Sequence, residues 1–163
     1  MFRIPAAFIV QRVRLTPSEI SYGRQHGWID DNATVEICLE KLNAGLSSEL
    51  EEEWALTLSI ELAESKPEEF PADPTEDASA VWVYLSVAWL HHSGPPNLLR
   101  DIEAVYAHLD YPAEMEAFVG YMPPPPGGEV GPAAVTRRLE SLLRSAEASY
   151  RRRDGLPHVS DDA

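Results

Sequence analysis

Few residues in this chain could do chemistry, and the spacing of most argues against catalysis. Cys38 is the single cysteine, so it closes no internal disulfide. It falls at an apolar helical position with only Lys41 as a nearby base, the setting of an inert buried thiol and not of a nucleophile. His91 and His92 are adjacent and therefore lie about 100° apart on a helix, whereas a ligand pair on one face needs i, i+3 or i, i+4 spacing. His26 and His108 have no motif around them, and no HExxH, CxxC, GxSxG or phosphate-loop spacing occurs. Among the carboxylates, Asp73, Glu76 and Asp77 stand close enough to offer oxygen ligands to a hard cation. Glu76 and Asp77 read more simply as first-turn acids of the helix that follows. The expectation is a protein that is no enzyme and holds no metal or cofactor. The alternative is a carboxylate-based or metal-dependent enzyme, which needs a cleft holding two or more acids with separated pKa values.

The carboxylates are more informative in bulk. The 163-residue chain has a net charge of −14, and residues 30–79 alone carry fifteen acids against two bases. Residues 1–29 have one acid against four bases, and residues 130–163 have five acids against six. Such a block attracts cationic partners and repels polyanions, so nucleic acid is disfavoured. The surface expected to meet a basic protein comprises Asp30, Asp31, Glu36, Glu53, Glu61, Glu64, Glu76 and Asp77. The bland alternative is a solvated face that keeps the protein soluble. The start MFRIPAAFIVQRVRL lacks the long apolar run and cleavage site of a signal peptide, and the stretch from Ala78 to Leu90 is too short to span a membrane. The expected compartment is the cytoplasm.

The elements that must position these groups read as helices. Ala7 to Leu15 is β-compatible and predicts a short strand or an extended arm. Thr16, Pro17 and Glu19 then form a cap, a first helical residue and a capping-box acid, for a helix that runs to about Gln25 and stops near Gly27. Asp30 or Asp31 caps the next helix, whose inward face is Val35, Cys38, Leu39 and Leu42 and which ends at Asn43-Ala44-Gly45. Ser47 or Ser48 starts a third helix in which Glu53, Thr57, Glu61 and Glu64 share one face while Trp54, Leu58 and Leu62 line another. After a proline-rich loop, a helix from about Thr75 to His92 is apolar all round, and its Trp82, Tyr84 and Trp89 read as core. Leu98 to about Asp110 is amphipathic, and Pro112 opens a short helix with Met115, Phe118 and Val119. Residues 123–128 are a Pro- and Gly-rich linker. A last helix, about Pro132 to Arg153, docks through Val135, Leu139, Leu142, Leu143 and Ala146. The prediction is a mainly α, single-domain bundle of about six to seven helices, with the domain spanning 1–154 and a disordered tail at 155–163.

Three stretches carry a resemblance. Leu15-Thr16, Glu19-Ile20 and Tyr22-Gly23 form the first; Trp82, Tyr84, Leu85, Trp89 and Leu90 the second. The third comprises Ile102, Val105, Tyr106 and Ala107, followed by the run Asp110-Tyr111-Pro112, Glu114, Phe118 and Tyr121-Met122-Pro123. Over roughly residues 9–150 the chain resembles the bacterial domain-of-unknown-function family two-two-four-seven, departing from it at Pro17 and at the stretch 123–128. The family brings no catalytic residues. The resemblance implies a small cytoplasmic bacterial protein of the immunity type, one that neutralises a secreted polymorphic toxin. An adaptor that offers its extended Pro-rich segment 123–126 to a partner is a further alternative.

Overall fold

Capping chemistry sets the starts of four helices in this computed structural model, which describes residues 2–119, 126–128 and 130–157. The expectation of a mainly α fold holds, with no strand among the described residues. Contacts divide the chain into two units, one ending at Trp82 and the other beginning at Val83.

The first unit opens with α1 (Ala6–Val10), where a strand or extended arm was expected. The Pro5 carbonyl accepts from the amides of Phe8 and Ile9 at 3.0 and 3.2 Å, and Ala6, Phe8 and Ile9 are buried together. A helical turn buries those three side chains at once, while a strand would alternate them across two faces. In α2 (Pro17–Gln25) the expected capping box is present: Thr16 Oγ1 accepts from the Glu19 amide, and Glu19 Oε2 accepts from the Thr16 amide. Asp30 caps α3 (Asp31–Asn43) by accepting from the Ala33 amide at 2.8 Å. The buried face of α3 is Thr34, Ile37, Cys38 and Lys41, rotated from the expected one, and Leu39 is exposed. Polar Thr34 and Lys41 go inward because each finds a partner there. Lys41 Nζ donates to the Leu15 carbonyl at 2.8 Å and pairs with the buried Glu51 carboxylate.

The single long helix expected after Ser48 is two helices, α4 (Glu49–Ala55) and α5 (Ser59–Glu64). Thr57 Oγ1 turns back to donate to the Glu53 carbonyl at 2.6 Å, Leu58 is extended, and Glu61 Oε2 accepts from the Leu58 amide to cap the restart. A hydroxyl that competes for a helix carbonyl, followed by a side-chain cap, explains a break where the apolar periodicity continues. The next helix, α6 (Ala80–Ser93), starts later than expected. Asp73 Oδ1 holds the amide and hydroxyl of Thr75, and Asp77 Oδ1 holds those of Ser79, so two tight turns precede it.

At the centre of this unit the rings of Trp28 and Trp82 stack at 6.3 Å, and Trp82 Nε1 donates to the Glu19 carbonyl at 2.9 Å. Helix α3 packs against α1, α2 and α4.

In the second unit α6 continues with Leu85, Ser86 and Val87 fully buried. Helix α7 (Leu98–His108) closes in a left-handed turn, with φ of 61° at Asp110 and 60° at Tyr111, and the Tyr111 amide donates back to the Tyr106 carbonyl at 2.9 Å. Two consecutive non-glycine residues in that region are uncommon, and they give the Asp-Tyr-Pro run its structural role. Pro112 then leads into a 3-10 helix (Ala113–Phe118), tighter than an α-helix, that buries Met115 and Phe118. It packs on α7 and on α8 (Pro132–Asp154), where Arg138 Nε donates to the Ala117 carbonyl at 3.1 Å. Tyr84 stacks on Tyr150 at 5.4 Å. Of the expected linker and tail, residues 123–125 and 158–163 lie outside the described residues, as do Tyr121, Met122 and Pro123 of the third resemblance stretch. The described helices number eight α and one 3-10, above the expected six or seven, because α1 is helical and the acidic helix is divided.

Gly23 sits against the Trp82 ring so closely that an added Cβ would clash with the ring carbons Cζ2, Cη2 and Cε2. The neighbour is a fully buried indole wedged by Trp28 and cannot withdraw. Gly23→Ala is expected to destabilise the protein by about 1–3 kcal/mol, the cost of overpacking a core, read as a lower urea midpoint; an unchanged midpoint would show that the indole has room to move.

Candidate functional site

An open acidic feature lies at the division between α4 and α5. The end of α4, the α5 segment and the chain from Ser65 to Glu68 enclose an open concavity of about 720 Å³ edged by Glu53, Glu61, Glu64 and Glu68, with Lys66 and Leu56 also in its lining. Four carboxylates against one ammonium make it anionic. The divided helix still brings Glu53, Glu61 and Glu64 together, across a notch and not along a single helical face.

Each wall is held from behind. Helix α4 is fixed to α3 by the Lys41–Glu51 pair, with Glu51 also serving as capping-box acid to the Ser48 amide at 3.1 Å. Helix α5 is tied to α3 by Ser59 Oγ donating to Asn32 Oδ1 at 3.3 Å, and it buries Leu62. The third wall depends on Trp54, whose Nε1 donates to the Glu68 carbonyl at 2.9 Å and whose ring stacks on Phe70 at 5.8 Å.

Behind Trp54 lies Arg24, with its guanidinium carbon 4.4 Å from the indole centroid. Its side chain is 7% exposed and its donors are well used. Nε and Nη2 grip both oxygens of Glu69 at 2.9 and 2.7 Å, while Nη1 reaches Thr34 Oγ1 and Asp31 Oδ1, each at 2.9 Å. Burial alone would lower the Arg24 pKa, but the hydrogen bonds and charges of Glu69 and Asp31 raise it above the ordinary value. The Arg24 hydrogen bonds pull the Glu69 carboxyl below its usual range. At Asp31 burial pushes upward and is overcome by Arg24 and Lys66, so its carboxyl also lies low. All these groups stay ionised at neutral pH.

The other residues of the expected binding surface are placed differently. Asp30 is occupied as the α3 cap and pairs with Arg3 at 3.1 Å, and Asp31 belongs to the Arg24 cluster. Glu36 is exposed on α3 beside a smaller concavity with Arg3 and Asp30. Glu76 accepts from the Thr16 hydroxyl and Asp77 from Ser79, both at a cleft whose lining includes Ser18, Ser21 and Asp73. Asp73 there is held below its usual pKa by the Thr75 hydroxyl and amide. Among the described residues no group of three or more His, Cys, Asp or Glu side chains is arranged to hold a metal ion. Cys38 is fully buried, and desolvation together with the nearby Glu51 charge pushes its thiol up to about 12. His91 Nε2 lies 3.6 Å from Glu140, while His92 meets the Trp89 ring. No helix among the described residues is long and apolar enough to cross a membrane.

Arg24 and Glu68 were not singled out from sequence. Arg24 and Glu69 are 45 residues apart, and no periodicity pairs them.

The low carboxyls of Glu69 and Asp31 set a pH dependence. A group whose pKa is lower folded than unfolded contributes its full stability above the unfolded value and loses it as pH falls through the folded one. Stability is therefore expected to be flat near neutrality and to fall below about pH 4.5, the ordinary carboxylate range. Glu69 is 61% exposed, so solvent screening limits its share to about 1 kcal/mol. Glu69→Gln should lower the urea midpoint at neutral pH by that amount and shrink the gap between neutral and acid midpoints; a gap unchanged in the variant would place the acid sensitivity elsewhere.

No curated protein and no solved structure matches the chain. The family model described as "Uncharacterized protein conserved in bacteria (DUF2247)" matches residues 6–147, which take in all three of the resemblance stretches. By that match the chain belongs to the bacterial family DUF2247.

Proposed function

We propose that this protein is a non-catalytic binding protein of the immunity type, acting in the cytoplasm, whose acidic surface docks on a basic toxin domain and blocks it. The observation that carries this reading is the gathering of Glu53, Glu61, Glu64 and Glu68 around one open concavity. Among the described residues Glu53 and Glu64 have no ion-pair partner. Their charge is thus available to an incoming cation, unlike that of Asp31 or Glu69. Supporting it is the net charge of −14, most of it in residues 30–79. Fields of one sign speed encounter with a partner of the other and make association sensitive to salt.

The test is a pull-down from host lysate at low and high salt, with the native chain and the Glu53→Gln/Glu61→Gln/Glu64→Gln variant as baits. Gln at position 61 can still accept from the Leu58 amide, so the variant keeps its helix cap. One basic protein retained by the native bait at low salt, released at high salt and lost from the variant is the expected result. Equal retention by both baits, or partners that are not basic, would sink the proposal.

A further inference from the structure

The segment that forms the notch exposes aliphatic side chains as well as acids, one of them, Leu56, in the lining itself. Leu56, Leu58 and Ile60 are 69%, 64% and 72% exposed, although Trp54 and Leu62 on either side of them are buried. Three large aliphatic side chains turned to solvent within five residues are more than the scattered exposure normal for a protein surface. The helix break accounts for Leu58, which in a continuous helix would share the inward register of Trp54 and is instead extended between α4 and α5, whereas Leu56, two residues from Trp54, falls on the opposite face of α4. Leu56 lies in the lining of the concavity edged by the four acids.

We infer that the α4–α5 notch is the docking site for a basic amphipathic segment of a partner protein. Its aliphatic side chains cover Leu56, Leu58 and Ile60, and its Lys or Arg side chains meet Glu53, Glu61, Glu64 and Glu68. This deepens the binding-protein reading and rests on it. Charge complementarity selects the occupant. A second copy meeting the notch through its own notch would bring like charges together, as the symmetry of such a contact requires. Nucleic acids and anionic lipid headgroups are repelled for the same reason. An uncharged apolar segment would desolvate the carboxylates without compensating them. A segment with cations beside its aliphatics satisfies both halves of the surface.

The probe is a fluorescein-labelled helical peptide of leucine and lysine with every leucine on one face, titrated with the full chain and read by fluorescence anisotropy. A second peptide keeps the lysines and replaces the leucines with glutamine. The native chain is expected to bind the first peptide about tenfold or more tightly than the second. Leu56→Ser/Leu58→Ser/Ile60→Ser should remove that preference, whereas Leu39→Ser, at an exposed leucine on α3, should keep it. The substituted residues are exposed, and a circular-dichroism melt checks that each variant is folded. If the serine variant keeps full affinity while Glu53→Gln/Glu61→Gln/Glu64→Gln loses it, docking on the aliphatics is overturned and the acidic-surface reading stands. If neither variant changes affinity, or the native chain binds neither peptide, both fall.

Discussion

One buried cation organises the first unit. Arg24 projects from the last turn of α2 and joins three segments that no local rule would bring together: α3 through Asp31 and Thr34, the loop after α5 through Glu69, and α4 through the face of Trp54. A planar guanidinium can meet two carboxylates and an aromatic face at once, which a lysine ammonium cannot. Burying such a charge is costly unless its donors are matched. Here they are, so the arrangement is over-determined and the loop carrying Glu69 has little freedom to move away.

The candidate site follows from that constraint. With Glu69 gripped by Arg24, Trp54 can hold the Glu68 carbonyl, and the chain from Ser65 to Glu68 becomes the third wall of a notch whose other walls are α4 and α5. Nine of the fifteen acids of residues 30–79 show two contrasting placements. Asp30, Asp31, Glu51, Glu69, Glu76 and Asp77 are engaged in caps, turns or internal pairs, and they shape the unit. Glu53, Glu64 and Glu68 face the concavity with their charge uncommitted to any described ion pair. Part of this run of fifteen acids is therefore spent on shaping the unit, while three acids with uncommitted charge meet around one concavity.

The parts of this fold that obey short-range rules could be read directly from the residues. Thr16-Pro17-Ser18-Glu19 announces its capping box, the Asp30-Asp31 pair a cap, and the apolar run around Trp82 its burial. The break at Thr57-Leu58 could not be read in this way, because Leu58 and Leu62 keep helical spacing across it. The decision was made by a hydroxyl bonding backward to Glu53 and a glutamate capping forward from position 61. The inward turn of Lys41 escaped for a related reason: a lysine reads as solvent-facing until Glu51 and the Leu15 carbonyl are placed beside it. At the site, Glu53, Glu61 and Glu64 were identifiable as neighbours from their spacing, though the geometry that joins them is a notch. The places of Glu68 and the exposed Ile60 depend on where the chain goes after the break, which the long-range contacts of Ser59 with Asn32, Trp54 with Glu68 and Arg24 with Glu69 determine.

Docking at the notch is tested most directly by hydrogen–deuterium exchange on the full chain, with and without a saturating amphipathic Leu/Lys peptide. Slower exchange confined to residues 53–68 is the predicted result. Protection that falls on other segments while 53–68 exchanges as before would contradict it.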